Sequence, residues 1–469
     1  MSTSSLQKRH VGGLTSLDYI STLLFLFLVS KRQKEEAKLA NNNNNNNKLA
    51  STRRRRRRLR EERDYASLCS IKTLVTLTTD LGDSFLAEEV ELRASVLRVD
   101  SDNDSRKNDR HTVQCIKQKN FIWPAASRQL LIAIDGLQLD LRRHAVQLHV
   151  GPADRGHQPG PDDDFAVSSA IPTVISAWSP PFGGSESPQA DKLALRWLRT
   201  RCPAEVRIWE ETGNNLARHI WYDFEDSIIN YQPPFFPCIH SSSFLCIIYS
   251  MALSNLYRDA SLAWLMLFQE TLSPVVVAAD GDDGKATSPF LMFKDLIRQN
   301  DNKSHFNVIE LGAGCGIVGI ALAQSLTDCS VLLTDLEEVR DIVSRNINMS
   351  YPAAGSKIDF QVLDWEASVP SRISGQQYDL IVVSDCTYNS DSLPALVDTM
   401  AALVERSPKA AIIVALKRRH ESEAVFFELM HRARLDVCSK THIQLPSVCS
   451  DERVDIEIHC FRSSPFSLR

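Results

Sequence analysis

Val308–Gly316 runs from apolar residues through Glu310 into Gly312, Gly314 and Gly316, and the apolar stretch Ile317–Ala323 follows. That order reads as a buried strand, a turn tight enough for a ligand to touch its backbone, and a helix whose free N–H groups face the ligand. Glu310, Gly312, Ala313, Gly314 and Gly316 are therefore candidate contacts for a nucleoside cofactor. A second apolar run, Ser330–Thr334, ends at Asp335, whose carboxylate can accept hydrogen bonds from both hydroxyls of a ribose or, alternatively, cap the next helix. A third, Asp359–Leu363, closes on Asp364 and Trp365, an acid for an adenine amino group and an indole to cover the ring. A tryptophan at a strand end also serves ordinary packing. The fourth, Tyr378–Ser384, leads into Asp385, Cys386, Thr387 and Tyr388. A carboxylate and a phenol so spaced can hold an accepting nitrogen in line with a group being transferred, a reaction that asks for orientation more than for acid or base chemistry.

Three glycines in this spacing fit dinucleotide-binding folds as well as S-adenosylmethionine folds, and the other strand ends decide between them. Asp385-Cys-Thr-Tyr388 after a fourth apolar strand resembles the D-x-x-Y motif of the seven-strand S-adenosylmethionine-dependent methyltransferases. Within them it is similar to the group acting on protein lysines, of the valosin-containing-protein lysine methyltransferase type with its fungal relatives. The resemblance continues through Ala410–Leu416 and Lys417–Phe427 as a fifth strand and its helix, and through Leu435–His442 and Val454–Phe461 as two closing strands. Upstream, Trp209–Trp221 resembles the approach to the family's first cofactor-contacting helix, with Trp221 at the position that lines the pocket. In all it covers Asp191–Trp221 and Asp259–Arg462.

The resemblance implies an α/β, Rossmann-like seven-stranded sheet that binds S-adenosylmethionine. By its pattern the Gly312–Gly316 turn receives the methionine part, Asp335 the ribose, and Asp364, Trp365 and Ser384 the adenine; Asp385 and Tyr388 orient a lysine amine. Three other functions compete with protein-lysine methylation: small-molecule (nicotinamide-like amine) N-methylation, nucleic-acid methylation, and a noncatalytic scaffold. A nucleic-acid enzyme usually carries two prolines at the fourth strand end to stack a base, and this chain has neither. Cys315 and Cys386, beside the site, read as small filler residues rather than nucleophiles.

One departure concerns Trp221. In the family an acid and a helix of small and apolar residues follow this tryptophan directly, whereas here they follow at Asp259–Phe268. The intervening Tyr222–Arg258 contains three prolines, and a proline inside a helix costs about 3 kcal/mol. We read the segment as a translated intron or as a surface insertion. Trp221-Tyr222 must be encoded as TGGTA, which holds a GT donor, and Tyr257-Arg258 can be encoded as TACAGG, which holds an AG acceptor. Insertions at exposed loops are thermodynamically cheap.

The 469 residues leave room for two to three domains, and a 43% hydrophobic content supports a substantial core. A net charge of -5 argues against bulk affinity for nucleic acid. The 11 cysteines are scattered without a C-x-x-C or Cys/His cluster, so no metal site is indicated and a reducing compartment, cytoplasmic with nuclear import as an option, suits the chain. Residues 1–64, with Asn41–Asn47 and Arg53–Arg58, have the composition of a disordered low-complexity tail. The apolar run Ile20–Val29 inside it is shorter than the ~20 residues a bilayer span requires, and no small-residue cleavage site follows it. The arginine run reads as a solvated tail or a nuclear localisation element, with no aromatics interleaved for base stacking. Residues 70–150 alternate as strands over Leu74–Phe85, Val90–Val99 and Gln129–Leu141, which predicts a β-rich extension. Residues 151–190 read as linker, and 191–469 as the methyltransferase domain. Asp280–Gly284 is an exposed loop without the ligand spacing of an EF-hand.

Overall fold

A computed structural model of the chain describes residues 20–31, 68–79, 86, 88–99, 114–141, 143–153, 174–184, 189–200, 205–211, 259–272, 293, 295–297, 305–418, 424–446 and 453–464. Trp221, Tyr222–Arg258, Asp280–Gly284 and the Asn and Arg runs lie outside them.

The N-terminal strands are β1 (Ile20–Lys31), β2 (Leu68–Thr79), β3 (Val90–Val99), β4 (Gln114–Trp123), β5 (Leu130–Gln138), β6 (Ala145–Pro152), β7 (Ala177–Trp178), β8 (Phe182–Gly183), β9 (Leu193–Arg199) and β10 (Glu205–Glu211). They form a three-stranded sheet in the order β1-β2-β5 and a larger one in the order β10-β9-β7-β6-β3-β4, with β8 beside β6. Alternation supplies the inner faces: Ile71, Val75 and Ile132 from the first sheet meet Ala94, Val96, Leu148 and Val150 from the second.

Strands occupy the stretch 70–150, expected to be a β-rich extension, and continue on both sides of it. Ile20–Lys31, within the stretch whose composition reads as an unfolded tail, pairs antiparallel with β2. Its run of β-branched and aromatic residues has strand character that averaging with the flanking Asn and Arg tracts conceals. The stretch expected as linker contributes β7 and β8, and the large sheet claims β9 and β10, which the sequence reading places with the catalytic domain. Gly and Pro content marks 151–190 as turn-rich, but pairing depends on which strand edge lies alongside, a long-range fact.

The second half continues with α1 (Asp259–Leu272), β11 (Phe306–Leu311), α2 (Ile317–Ser325), β12 (Cys329–Asp335), α3 (Arg340–Met349), β13 (Lys357–Val362), β14 (Leu380–Ser384), α4 (Leu393–Arg406), β15 (Ala411–Lys417), α5 (Ala424–Arg432), β16 (Leu435–Pro446) and β17 (Arg453–Ser463). Its sheet has the order β13-β12-β11-β14-β15-β17-β16, the first five strands parallel and β17 antiparallel to both neighbours. This is the α/β, Rossmann-like seven-stranded arrangement anticipated from the sequence. Near-continuous apolar strands are what a sheet covered on both faces requires. Val308, Leu333, Val382 and Ile413 point to the α1, α2 and α3 side, whereas Ile309, Leu311, Val383 and Val414 point to α4 and α5. Helix α4 buries Leu393, Leu396, Val397, Met400, Leu403 and Val404, one stripe of a 3.6-residue repeat. Helix α2 is buried from Ile317 through Ala323. It fills the gap between the parallel sheet and the N-terminal strand β10, whose Val206 and Ile208 join the same core.

Candidate active site

Strand order reverses between β11 and β14, where crossovers leave toward opposite faces and the carboxyl ends of the strands part to form a crevice. The four sequence runs singled out above end on this edge. Leu311 lies beside Thr334 and Val383, Asp335 beside Val362, and Ser384 beside Ala415.

Gly312, Gly314 and Gly316 all hold left-handed backbone, with φ of 69°, 55° and 84°. At Gly312 a side chain would also have no room: a Cβ there would lie 2.5 Å from Cys386 Sγ and 3.2 Å from Trp365 Cζ2. The first glycine thus lets the ends of three strands close on one point. Ala313 donates its N–H to the Thr334 carbonyl at 3.0 Å, and the Thr334 hydroxyl donates to the Glu310 carbonyl at 2.6 Å.

Glu310 is buried, and one of its oxygens accepts the Gly319 N–H at 2.8 Å. Burial pushes its carboxyl up to about 8; the Gly319 bond works against the rise and the nearby Asp335 charge adds to it. Asp335 accepts the Gly314 N–H at 2.7 Å through one oxygen and the Leu336 N–H at 2.7 Å through the other. It is therefore fastened to the glycine turn.

Asp364 is exposed and accepts the Glu366 N–H at 2.9 Å, which holds the turn that carries Trp365. The half-buried Trp365 ring packs over Gly312, and its indole N–H, shielded from solvent, has no partner among the described residues. Ser384 Oγ is 3.3 Å from Ser261 Oγ, both buried, so this hydroxyl anchors the first turn of α1 to the end of β14.

Asp385 is buried to 1% exposure and adopts φ of 53°, a left-handed conformation that costs a non-glycine residue on the order of 1–3 kcal/mol. Its N–H donates to the Ala415 carbonyl at 2.8 Å, which fixes the strained residue to the neighbouring strand. Cys386 directs its thiol at the carbonyls of Ser384 and Leu311, at 3.3 and 3.5 Å, a filler's role. Tyr388 is half-buried at the rim.

The structure thus brings Glu310, Gly312, Ala313, Gly314, Gly316, Asp335, Trp365, Ser384 and Asp385 to one crevice. Asp364 and Tyr388 stand at its edge, and Trp221 lies outside the described residues. Three residues that complete the scaffold went unnoticed in the sequence. Gly319 lets α2 approach β12 and Glu310, Ser261 ties α1 to β14, and Asn346 bonds the Cys315 carbonyl at 2.9 Å. Only Gly319 left a mark, since a glycine inside a helix costs stability unless packing demands it. Among the described residues no group of three His, Cys, Asp or Glu side chains is gathered as a metal site, and no helix is long and apolar enough to cross a membrane.

Residues 270–433 match the family described as lysine methyltransferase. The chain is 22% identical over 385 residues to a UPF0665 family protein of Schizosaccharomyces pombe, covering 78% of this chain and 89% of that one. It is 28% identical to the protein N-lysine methyltransferase METTL21A of Xenopus tropicalis, over 34% of this chain and 65% of the relative. To the EEF1A lysine methyltransferase 3 of Mus musculus it is 30% identical, over 32% of this chain and 60% of the relative. It therefore spans somewhat less than two thirds of these two named enzymes.

Proposed function

We infer that this chain, a seven-strand S-adenosylmethionine-dependent methyltransferase of the lysine methyltransferase family, transfers a methyl group to the side-chain amine of a protein lysine. What supports the reading is a buried, conformationally strained Asp385 next to Cys386, whose thiol lies 3.8 Å from the Gly312 carbonyl.

The crevice fits the methyl donor. Glycine at 312, 314 and 316 leaves the turn's backbone bare at three positions, Asp335 bonds to it, and the edge of the Trp365 ring lies over Gly312. N–H groups of Gly312–Gly316 would hold the methionine part, Asp335 the ribose hydroxyls, and Asp364, Trp365 and Ser384 the adenine. Bound there, S-adenosylmethionine supplies an electrophilic methyl group on a sulfonium.

The rest is done by the chain. A lysine amine with an ordinary pKa of ~10.4 attacks only when neutral, and withdrawal from water into the crevice favours that form. Asp385 accepts a hydrogen bond from the amine and Tyr388 closes its other side, so that the lone pair is held in line. The strain at Asp385 is consistent with a side chain placed for orientation and not for folding. Cys386 and Trp365 shield the Gly312 side from water.

Seven described cysteines are free thiols, which supports a reducing, cytoplasmic setting. Arg53–Arg58 supports nuclear import. Incubation with labelled S-adenosylmethionine and a cell lysate should place label on protein. Asp385→Ala should abolish that transfer while calorimetry still detects binding of the donor. Undiminished transfer, or label confined to small molecules, would overturn the reading.

A further inference from the structure

Strand β10 is the outer strand of the large N-terminal sheet, and an outer strand leaves a row of backbone groups to be satisfied. At Trp209 they are met by one side chain. Asn346 of α3 accepts the Trp209 N–H at 2.8 Å and donates to the Trp209 carbonyl at 2.9 Å, the two-bond exchange a neighbouring strand would make. The remaining hydrogen of the same amide goes to the Cys315 carbonyl at 2.9 Å, between Gly314 and Gly316. Asn346 is fully buried, and its bond to the Cys315 carbonyl is made where water cannot replace it.

Nearby contacts hold the same junction. Arg345 lies over the Trp209 ring at 5.9 Å, and Gln324 of α2 donates to the Glu205 carbonyl at 3.5 Å. Within the sheet, Arg196 and Glu210 form a fully buried ion pair at 3.1 Å, and Arg196 also donates to the carbonyls of Ile175 and Ser176. These bonds tie the β9–β10 pair together beside the point that Asn346 grips. A strand tied in this way and bonded through one amide to a glycine turn restricts the conformations that turn can take.

We propose that Asn346 is a positioning residue that couples the N-terminal sheet to the cofactor turn, so that docking of β10 and binding of S-adenosylmethionine strengthen one another. The N-terminal sheet is then part of the methyl-donor site, and not an appended module. This rests on the S-adenosylmethionine reading of the glycine turn. Linkage requires the effect to run both ways, and couplings of this kind commonly amount to about 5–150-fold in affinity.

The unmutated protein gives the first test. Saturating S-adenosylmethionine should slow hydrogen exchange in the β10 peptide Glu205–Glu211 as well as in the glycine turn. The second is Asn346→Ala, which should weaken donor binding by about tenfold or more in calorimetry and raise the donor KM. kcat at saturating donor should change little, because Asn346 does not touch the amine. As a stability control, Met430→Ala removes core volume from α5 on the opposite face of the sheet and should lower Tm without moving the donor KM. Binding of S-adenosylmethionine with no change in β10 exchange, or equal KM shifts in both variants, would overturn the coupling. No binding at all would instead overturn the function on which it rests.

Discussion

Gly319→Ala sets two general rules against each other. In a helix interior alanine is favoured over glycine by about 1 kcal/mol, so propensity alone makes the substitution stabilising. The structure gives the opposite sign. A Cβ at Gly319 would lie 2.2 Å from Leu333 Cδ2, 2.6 Å from Glu310 Oε2 and 2.9 Å from Val331 Cγ1. Leu333 cannot turn aside easily, because its other methyl is the atom that a Cβ at Gly316 would meet at 2.9 Å, and the residue is fully buried. Helix α2 must therefore move off β12. Overpacking of this kind costs about 1–3 kcal/mol, and displacing Glu310 from the Gly319 N–H forfeits a buried hydrogen bond of about 1 kcal/mol. Set against the propensity gain, the variant should lose about 1–3 kcal/mol. Urea unfolding read by circular dichroism should show a lower midpoint at unchanged slope. Calorimetry should show weaker binding of S-adenosylmethionine, because α2 and the glycine turn move together. A midpoint equal to or above that of the unmutated protein would refute the claim that packing against Leu333 and Glu310 dictates this glycine.

Other residues give further expectations. Burial raises the folded-state pKa of Glu310 to about 8, so between its ordinary value of 4.5 and that point the native state holds a proton that the unfolded chain has released. Stability should then fall by on the order of a few kcal/mol as pH rises through this window; Glu310→Gln should flatten that part of the Tm profile, and an unchanged slope would count against it. Gly312→Ala, with φ of 69° and Cys386 Sγ at 2.5 Å from the new Cβ, should weaken S-adenosylmethionine binding by about tenfold or more. Adding Cys386→Ala should recover part of that loss, and full recovery would mean that the backbone strain is negligible. Sequenced transcripts should lack the codons of Tyr222–Arg258; if all of them retain the segment, it is a true insertion.

The position of the candidate residues at the strand ends was legible in the sequence because it is local. Gly312, Gly314 and Gly316 combine a turn with a helix start, Asp335 and Asp385 each follow a buried strand, and strand periodicity tells which residues end at the same edge. Near-continuous apolar runs in β14 and β15 likewise announce a sheet covered on both faces. The domain boundary was not legible. Strands β7 and β8 contribute two residues each within a Pro- and Gly-rich stretch, and only the edges presented by β6 and β9 make them strands.

The order of residues along the chain determined which groups are candidates for binding a nucleoside and orienting an amine, since such candidacy belongs to residue types and short spacings. The tertiary structure alone decided how these groups are held. Asn346 is 137 positions from Trp209 and Ser261 is 123 from Ser384, and an isolated asparagine or serine carries no mark of a partner so far away. Burial decided the rest, because Glu310 departs from ordinary carboxylate behaviour only once α2 and β12 close over it and exclude water.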